Sequence, residues 1–370
     1  MLVNLTLLFY FLGLATEALV LFPKNLDNSN NSDKDNCTCV PMDLCQDEGY
    51  PALDGAGQLD IRIFSTAVCS NYYHVCCKNP MDPVDEPKSE ISKCGYKYTV
   101  PFNKRITTYS DDSEFAEFPW TVVVLRNGDQ ENDSPIYKCG GSLIHPQVAL
   151  TAAHCVNNMA KRTLLVRAGE WDTKVTNEPL HHQDVPVEEV VIHEQFNENS
   201  LKNDIALLFL DEEFVMLENV GIICLPPMKK NIENIRCLAT GWGKDAYDHG
   251  KHSSILKKVS LPLVRRNDCQ KALRRTRLGP FYTLHESFVC AGGEMKKDTC
   301  QGDGGSPLVC PIRGEKEVGR SRYYQMGIVS WGIGCGNSRT PGVYVNVATF
   351  ADWIDDHMQS RNFDTAFYKF

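Results

Sequence analysis

Three short stretches carry residue types that can move protons. Leu150-Thr151-Ala152-Ala153-His154-Cys155 places a histidine beside a cysteine, and Asn203-Asp204-Ile205-Ala206-Leu207-Leu208 places an aspartate at the mouth of an apolar run. Gly302-Asp303-Gly304-Gly305-Ser306-Pro307 is a glycine-rich turn. An imidazole accepts and returns protons near neutral pH, and a neighbouring carboxylate can hold its ring in one orientation. His154 and Asp204 are therefore candidates for a general base and its orienting group. Taken alone, His154 reads as a satisfied core histidine. The ordered set of motifs is what lifts it above that reading.

These residues need a frame to hold them. From about Ile106 onward, short apolar runs recur between Gly, Asn and Pro turns: Thr121–Leu125, Val185–Ile192, Ile205–Leu210, Met326–Trp331 and Val343–Val347. This spacing predicts an all-β sandwich or barrel. Val347, Phe350, Trp353, Ile354 and Met358 fall at helical spacing and predict a C-terminal helix.

The chain has 370 residues, 16 cysteines and a net charge of −9, which predicts two or three domains. Hydrophobic residues at 42% and charged residues at 23% exclude wholesale disorder. The acidic balance, with no long Lys/Arg run, excludes a polybasic nucleic-acid binder. The apolar start, broken at Glu17 and followed by small residues, predicts a signal peptide over 1–18. The alternative is a membrane anchor, for which the run is short. No later segment is apolar enough to span.

A polar leader covers 19–36. Six cysteines, Cys37, Cys39, Cys45, Cys69, Cys76 and Cys77, then fall within 41 residues. A block this small needs its disulfides as staples. Its spacings lack the paired CxxC pattern of a zinc site. An even cysteine count behind a signal peptide points to an oxidising compartment. Residues 78–105 form a Pro-rich, charged linker, and 359–370 a C-terminal tail. Asn30 and Asn132 match the weak glycosylation acceptor pattern. The clusters Arg265-Arg266 and Arg274-Arg275-Thr276-Arg277 are either a docking surface or a solvated loop.

In order and spacing, the three chemical stretches resemble the chymotrypsin-like (S1) serine proteases, whose marks are TAAHC, DIAL and GDSGGP. Phe118-Pro119-Trp120, Cys139-Gly140-Gly141-Ser142, Gly241-Trp242-Gly243, Ser330-Trp331-Gly332 and Pro341-Gly342-Val343-Tyr344 support it. The resemblance covers 106–358 and implies a chymotrypsin-like double β-barrel with a C-terminal helix. It also implies a degenerate triad of His154, Asp204 and Gly304, because active members carry serine where this chain has Gly304. Without an Oγ there is nothing for the base to activate. Ser306 stands two positions further on. At about 3.3 Å per residue, its hydroxyl is displaced by several ångströms.

The resemblance implies further assignments. Asp298, Gly332 and Gly342 match the pocket that receives an Arg or Lys side chain, either still open or an occluded remnant. Arg105 and Ile106 match the activation cleavage site, and Asp303 the partner of the new ammonium. Thr107 and Thr108 depart from the usual Val-Gly. Expected disulfides are Cys94–Cys224, Cys139–Cys155, Cys237–Cys310, Cys269–Cys290 and Cys300–Cys335. Glu170 and Glu178 flank a loop where some members bind calcium, although solvated carboxylates are an equal alternative.

The first six cysteines resemble a clip domain over 37–77, whose usual pairing is Cys37–Cys76, Cys39–Cys69 and Cys45–Cys77. Clip domain, S1-like domain and missing serine together resemble the arthropod clip-domain serine protease homologues, of the phenoloxidase-activating factor 2 type. That implies a non-catalytic cofactor secreted into a haemolymph-like fluid. An upstream clip-domain protease would cleave it, and it would then oligomerise and assist prophenoloxidase or its activating protease. No catalytic cofactor is expected. A decoy or inhibitor of active clip proteases and a structural or adhesion protein are the alternatives.

Overall fold

Val122, Val123, Val124 and Leu125 follow one another without a breaker, and all four are buried. β-branched residues in such a run favour an extended strand enclosed on both faces. They form β3 (Thr121–Arg126). In the computed structural model the described residues are 94–97, 111–128, 134–159, 163–175, 177–227, 235–244, 251–295, 297–317, 320–336 and 339–370. The backbones of β1 (Thr38–Pro41) and β2 (His74–Cys77) are also described.

By internal contacts the chain divides into two units, Met1–Lys88 and Ser89–Phe370. In the first unit, β1 and β2 pair antiparallel, with Cys39 opposite Cys76. The second unit holds two closed six-stranded antiparallel barrels. The first joins β3 to β4 (Ile136–His145), β5 (Val148–Thr151), β6 (Leu164–Ala168), β7 (Gln183–Ile192) and β8 (Ala206–Leu210), in the order β3-β4-β5-β8-β7-β6. The second comprises β9 (Arg236–Gly241), β10 (Lys257–Val264), β11 (Phe288–Gly292), β12 (Pro307–Glu317), β13 (Arg320–Trp331) and β14 (Pro341–Asn346), in the order β10-β11-β14-β13-β12-β9. Closure leaves no open sheet edge.

One apolar cluster runs from the first barrel into the second and includes Trp120, Leu150, Leu207, Val309, Ile328 and Val345. Two polar contacts pin the same seam. Ser142 Oγ donates to Gln325 Oε1 at 2.6 Å, and the Thr121 and Thr240 hydroxyls meet at 3.2 Å. All four groups are buried, so each needs the partner that the opposite barrel supplies.

Among the described residues, three α-helices complete the unit: α1 (Ala153–Val156), α2 (Arg266–Arg274) and α3 (Ala351–Gln359). The helical pattern read from Val347 onward begins as a 3₁₀ turn, Val347–Phe350, before α3 takes over. The residues after α3 do not run free. They form a 3₁₀ turn, Thr365–Tyr368, with Tyr368 buried and its carbonyl accepting from Leu225 N at 2.9 Å. His145 is packed edge-on against Phe363 and Phe367.

Five disulfides tie this unit: Cys94–Cys224, Cys139–Cys155, Cys237–Cys310, Cys269–Cys290 and Cys300–Cys335. The side chains of the six earlier cysteines lie outside the described residues, as do Asn30, Arg105, Ile106 and Asn132. Among the described residues, no helix is long and apolar enough to cross a membrane.

Candidate functional site

The barrel seam brings together groups far apart in sequence. His154 lies on the single turn of α1, directly after β5, and Asp204 lies in the turn that enters β8. Asp204 is fully buried. Its Oδ1 accepts from His154 N at 2.8 Å and its Oδ2 meets His154 Nδ1 at 2.7 Å. A carboxylate can only accept, so Nδ1 carries a proton toward Asp204, and the other ring nitrogen, Nε2, faces away from it. Ser330 Oγ, from β13 in the other barrel, donates to the same Oδ2 at 2.6 Å. The three-way junction fixes the ring across the seam. Ser330 was quoted in the sequence only as part of the Ser330-Trp331-Gly332 tag. Its role rests on a contact across 126 positions that no local spacing reveals.

Nε2 points toward Gly304. A Cβ placed on Gly304 would lie 3.0 Å from His154 Nε2 and 3.7 Å from Cys139 Sγ. The imidazole is therefore aimed at a position with no side chain. Ser306 does not substitute for one. It is fully buried, and its hydroxyl lies against the backbones of Gly140 and Gly241, where it has no hydrogen-bond partner. A methyl group on Gly140 would collide with that hydroxyl. The site can orient and hold a proton, but residue 304 offers no nucleophile to receive its help.

Asp303 is turned inward. Gly243 N donates to its Oδ1 at 2.9 Å and Cys300 N to its Oδ2 at 2.8 Å. Burial pushes this carboxyl up to about 6, against the pull of those amides and of nearby His252. Tyr137 donates its hydroxyl to Gly302 O at 2.6 Å and closes one side of the turn.

Asp298, Gly332 and Gly342 belong to a neighbouring wall. Thr299 N and Gly336 N donate to Asp298 at 2.9 and 3.1 Å, and Cys300–Cys335 holds the arm that carries Gly336. A Cβ on Gly342 would sit 3.0 Å from Asp298 Oδ1, so a larger residue there would crowd the carboxylate. Gly332 is less confined, with only Gly334 O at 3.4 Å from such an atom. Burial raises Asp298 to about 6, partly opposed by its two amides.

Glu170 and Glu178 are both buried, not solvated. Glu178 Oε1 accepts from Asp172 N at 2.6 Å and Trp171 N at 3.2 Å. Glu170 Oε2 meets Arg167 at 3.1 Å, while its Oε1 has no hydrogen-bond partner. Burial, with the charges of Glu170 and Asp172, raises Glu178 to about 7. A buried, unpartnered carboxylate oxygen beside crowded negative charge fits a hard cation bound through oxygen. The one group of three metal-ligand types with converging atoms among the described residues is Cys139, His154 and Cys155, where the disulfide occupies both sulfurs; Glu170 and Glu178 do not form such a group.

The double barrel and the His–Asp junction at its seam define a trypsin-type scaffold, and comparison with known proteins agrees. The family model described as Trypsin matches residues 110–354, and that described as Serine protease Clip domain PPAF-2 matches residues 27–78. The chain belongs to the trypsin family and carries a clip domain.

Among its relatives is Phenoloxidase-activating factor 2 of Galleria mellonella, 48% identical over 79% of this chain and 98% of that protein. Inactive CLIP domain-containing serine protease A28 of Anopheles gambiae is 39% identical over 84% of this chain and 82% of that protein. Inactive CLIP domain-containing serine protease A8 of the same mosquito is 35% identical over 91% and 93%. The chain is thus a clip-domain serine protease homologue related to phenoloxidase-activating factors.

Proposed function

We propose that this protein is a secreted, non-catalytic cofactor in a proteolytic immune cascade, which assists prophenoloxidase activation after its own cleavage at Arg105. The observation that carries this reading is the imidazole of His154, held by Asp204 and Ser330 and aimed at Gly304. The supporting machinery is kept while the reacting atom is missing. Removing the nucleophile of a serine protease costs about 10⁶-fold in kcat. A rigid, disulfide-tied fold of this kind can hold a partner without cutting it.

Two features support zymogen-like handling. Asp303 is a partly buried carboxylate with amide partners and a raised pKa, the environment an incoming ammonium from Ile106 would relieve. The buried pair Glu170 and Glu178 fits calcium, which would neutralise that loop. Asp298 and its glycine wall would receive a basic side chain of the partner.

The test is prophenoloxidase activation by its protease, with this protein absent, added intact, or added after cleavage at Arg105. An increase that requires the cleaved form is expected. A decrease would instead make the protein a decoy, and no change in any arm would overturn the melanisation role.

A further inference from the structure

The arginine cluster around α2 splits into two groups with different work. Arg266, though exposed, and half-buried Arg274 are bonded to the loop that follows the helix. Arg274 Nε donates to Tyr282 O at 2.7 Å, and Arg266 donates to the carbonyls of Leu284 and His285. Gln270 Oε1 accepts from Leu284 N at 2.9 Å. These bonds strap the loop after α2 back along the helix. The loop also carries its own turn, with Gly279 N on Thr276 O at 3.1 Å and Tyr282 N on Gly279 O at 3.2 Å.

The outward group is different. Lys271, Arg275 and Arg277 are exposed; Lys271 lies 3.9 Å from Asp268, and neither Arg275 nor Arg277 has a carboxylate partner among the described residues. Phe281, on the same strapped turn, is 93% exposed, more than any other large hydrophobic side chain described. Residues 265–277 hold six cations against one carboxylate, in a chain whose net charge is −9.

The lobe is built on the wall of the dead cleft. The Tyr282 ring meets Trp331 edge-on at 6.3 Å, and Trp331 leads directly into Gly332. An aromatic side chain on a fixed turn gives up little conformational freedom on binding, and aromatic residues and arginine are the residue types that dominate interface energies.

We propose that this lobe, Phe281 flanked by Lys271, Arg275 and Arg277, is an exosite for an acidic segment of a partner protein. Phe281 inserts among the segment's apolar side chains, while the cations meet its carboxylates. A membrane surface fits less well, because stable interfacial anchoring needs more buried apolar area than one phenylalanine supplies. A sulfated polysaccharide would use the cations and leave Phe281 idle. The inference goes beyond the cofactor reading and does not depend on which cascade the protein serves.

The test uses the full chain and a short fluorescein-labelled peptide of Glu and Asp interrupted by two leucines. Three comparison probes are the same peptide with Gln and Asn for its acids, a heparin fragment, and phosphatidylserine-containing vesicles. The acidic peptide is expected to bind, and its amide version to bind about tenfold more weakly or worse. Phe281→Ser and the double variant Arg275→Gln/Arg277→Gln should each weaken acidic-peptide binding about tenfold. Met295→Ser, at another exposed hydrophobic position, should leave it unchanged. Unaltered melting temperatures would establish that the variants fold. Failure of the acidic peptide to bind, binding indifferent to Phe281, or tighter binding of heparin or vesicles by the same lobe would overturn the proposal. No cascade component is present, so this result and that of the prophenoloxidase assay are separable.

Discussion

At the scale of single residues, the site is a base without a client. The space at Gly304 is nearly sufficient for a side chain: a Cβ would press on His154 Nε2 at 3.0 Å, and a shift of a few tenths of an ångström in the ring would relieve it. Gly304→Ser, cleaved at Arg105, is therefore expected to hydrolyse an arginyl chromogenic peptide at least about 10³-fold faster than wild type, which should stay at background. A silent variant would mean that the pocket or the activation step is also defective. Ser330 yields a second expectation. Its hydroxyl is one of the hydrogen bonds to a fully buried carboxylate, so Ser330→Ala should cost about 1–3 kcal/mol in urea unfolding, with an unchanged m-value. The motifs around His154, Asp204 and Gly304 were legible because each is a contiguous string. The Ser330 contact and the inward burial of the Ser306 hydroxyl were not. Each depends on which backbone lies opposite after the barrels close, and sequence spacing does not encode that.

At the scale of elements, apolar runs located the strands because closed barrels bury both faces of most of them, as in β3 and β8. The outer strand β7, half-exposed along much of its length, began two residues before its apolar run. The division of labour among the arginines of α2 was hidden, since those that bond the following loop and those that do not look alike in one dimension. The docking of the tail after α3 was not legible, because its aromatic residues pack through a 3₁₀ turn too short to show periodicity. The loop holding Glu170 and Glu178 makes a direct prediction. Glu178 sits at about 7, above its usual 4.5, so the fold favours its protonated form. Its contribution is favourable below about 4.5 and is lost as pH rises through 7. In chelator the melting temperature should therefore decline over that range. Calcium at pH 7.5 should raise it by about 3 °C or more. Glu178→Gln should remove the calcium response, and a wild-type protein indifferent to calcium would discount the metal site.

At the scale of the whole molecule, the proposed cleavage would be linked to charge through Asp303. Its carboxyl stands near 6 rather than 3.8, so the uncut chain should lose stability as pH rises from about 4 through 6. Insertion of the Ile106 ammonium would favour the carboxylate and flatten that loss. Melting temperatures measured across pH should then fall more steeply for the intact protein than for the form cut at Arg105. Parallel curves would mean that the new terminus does not reach Asp303. The bond Cys94–Cys224 has its own consequence for such a two-part protein. Gly95 N on Ile222 O and Lys97 on Glu117 reinforce this anchor, which holds the segment before Arg105 to residues that follow it. A cut at Arg105 therefore leaves the clip domain covalently joined to the barrels through Cys94–Cys224. A partner with only a weak foothold on each unit then meets one bivalent ligand, and its residence time is set by avidity.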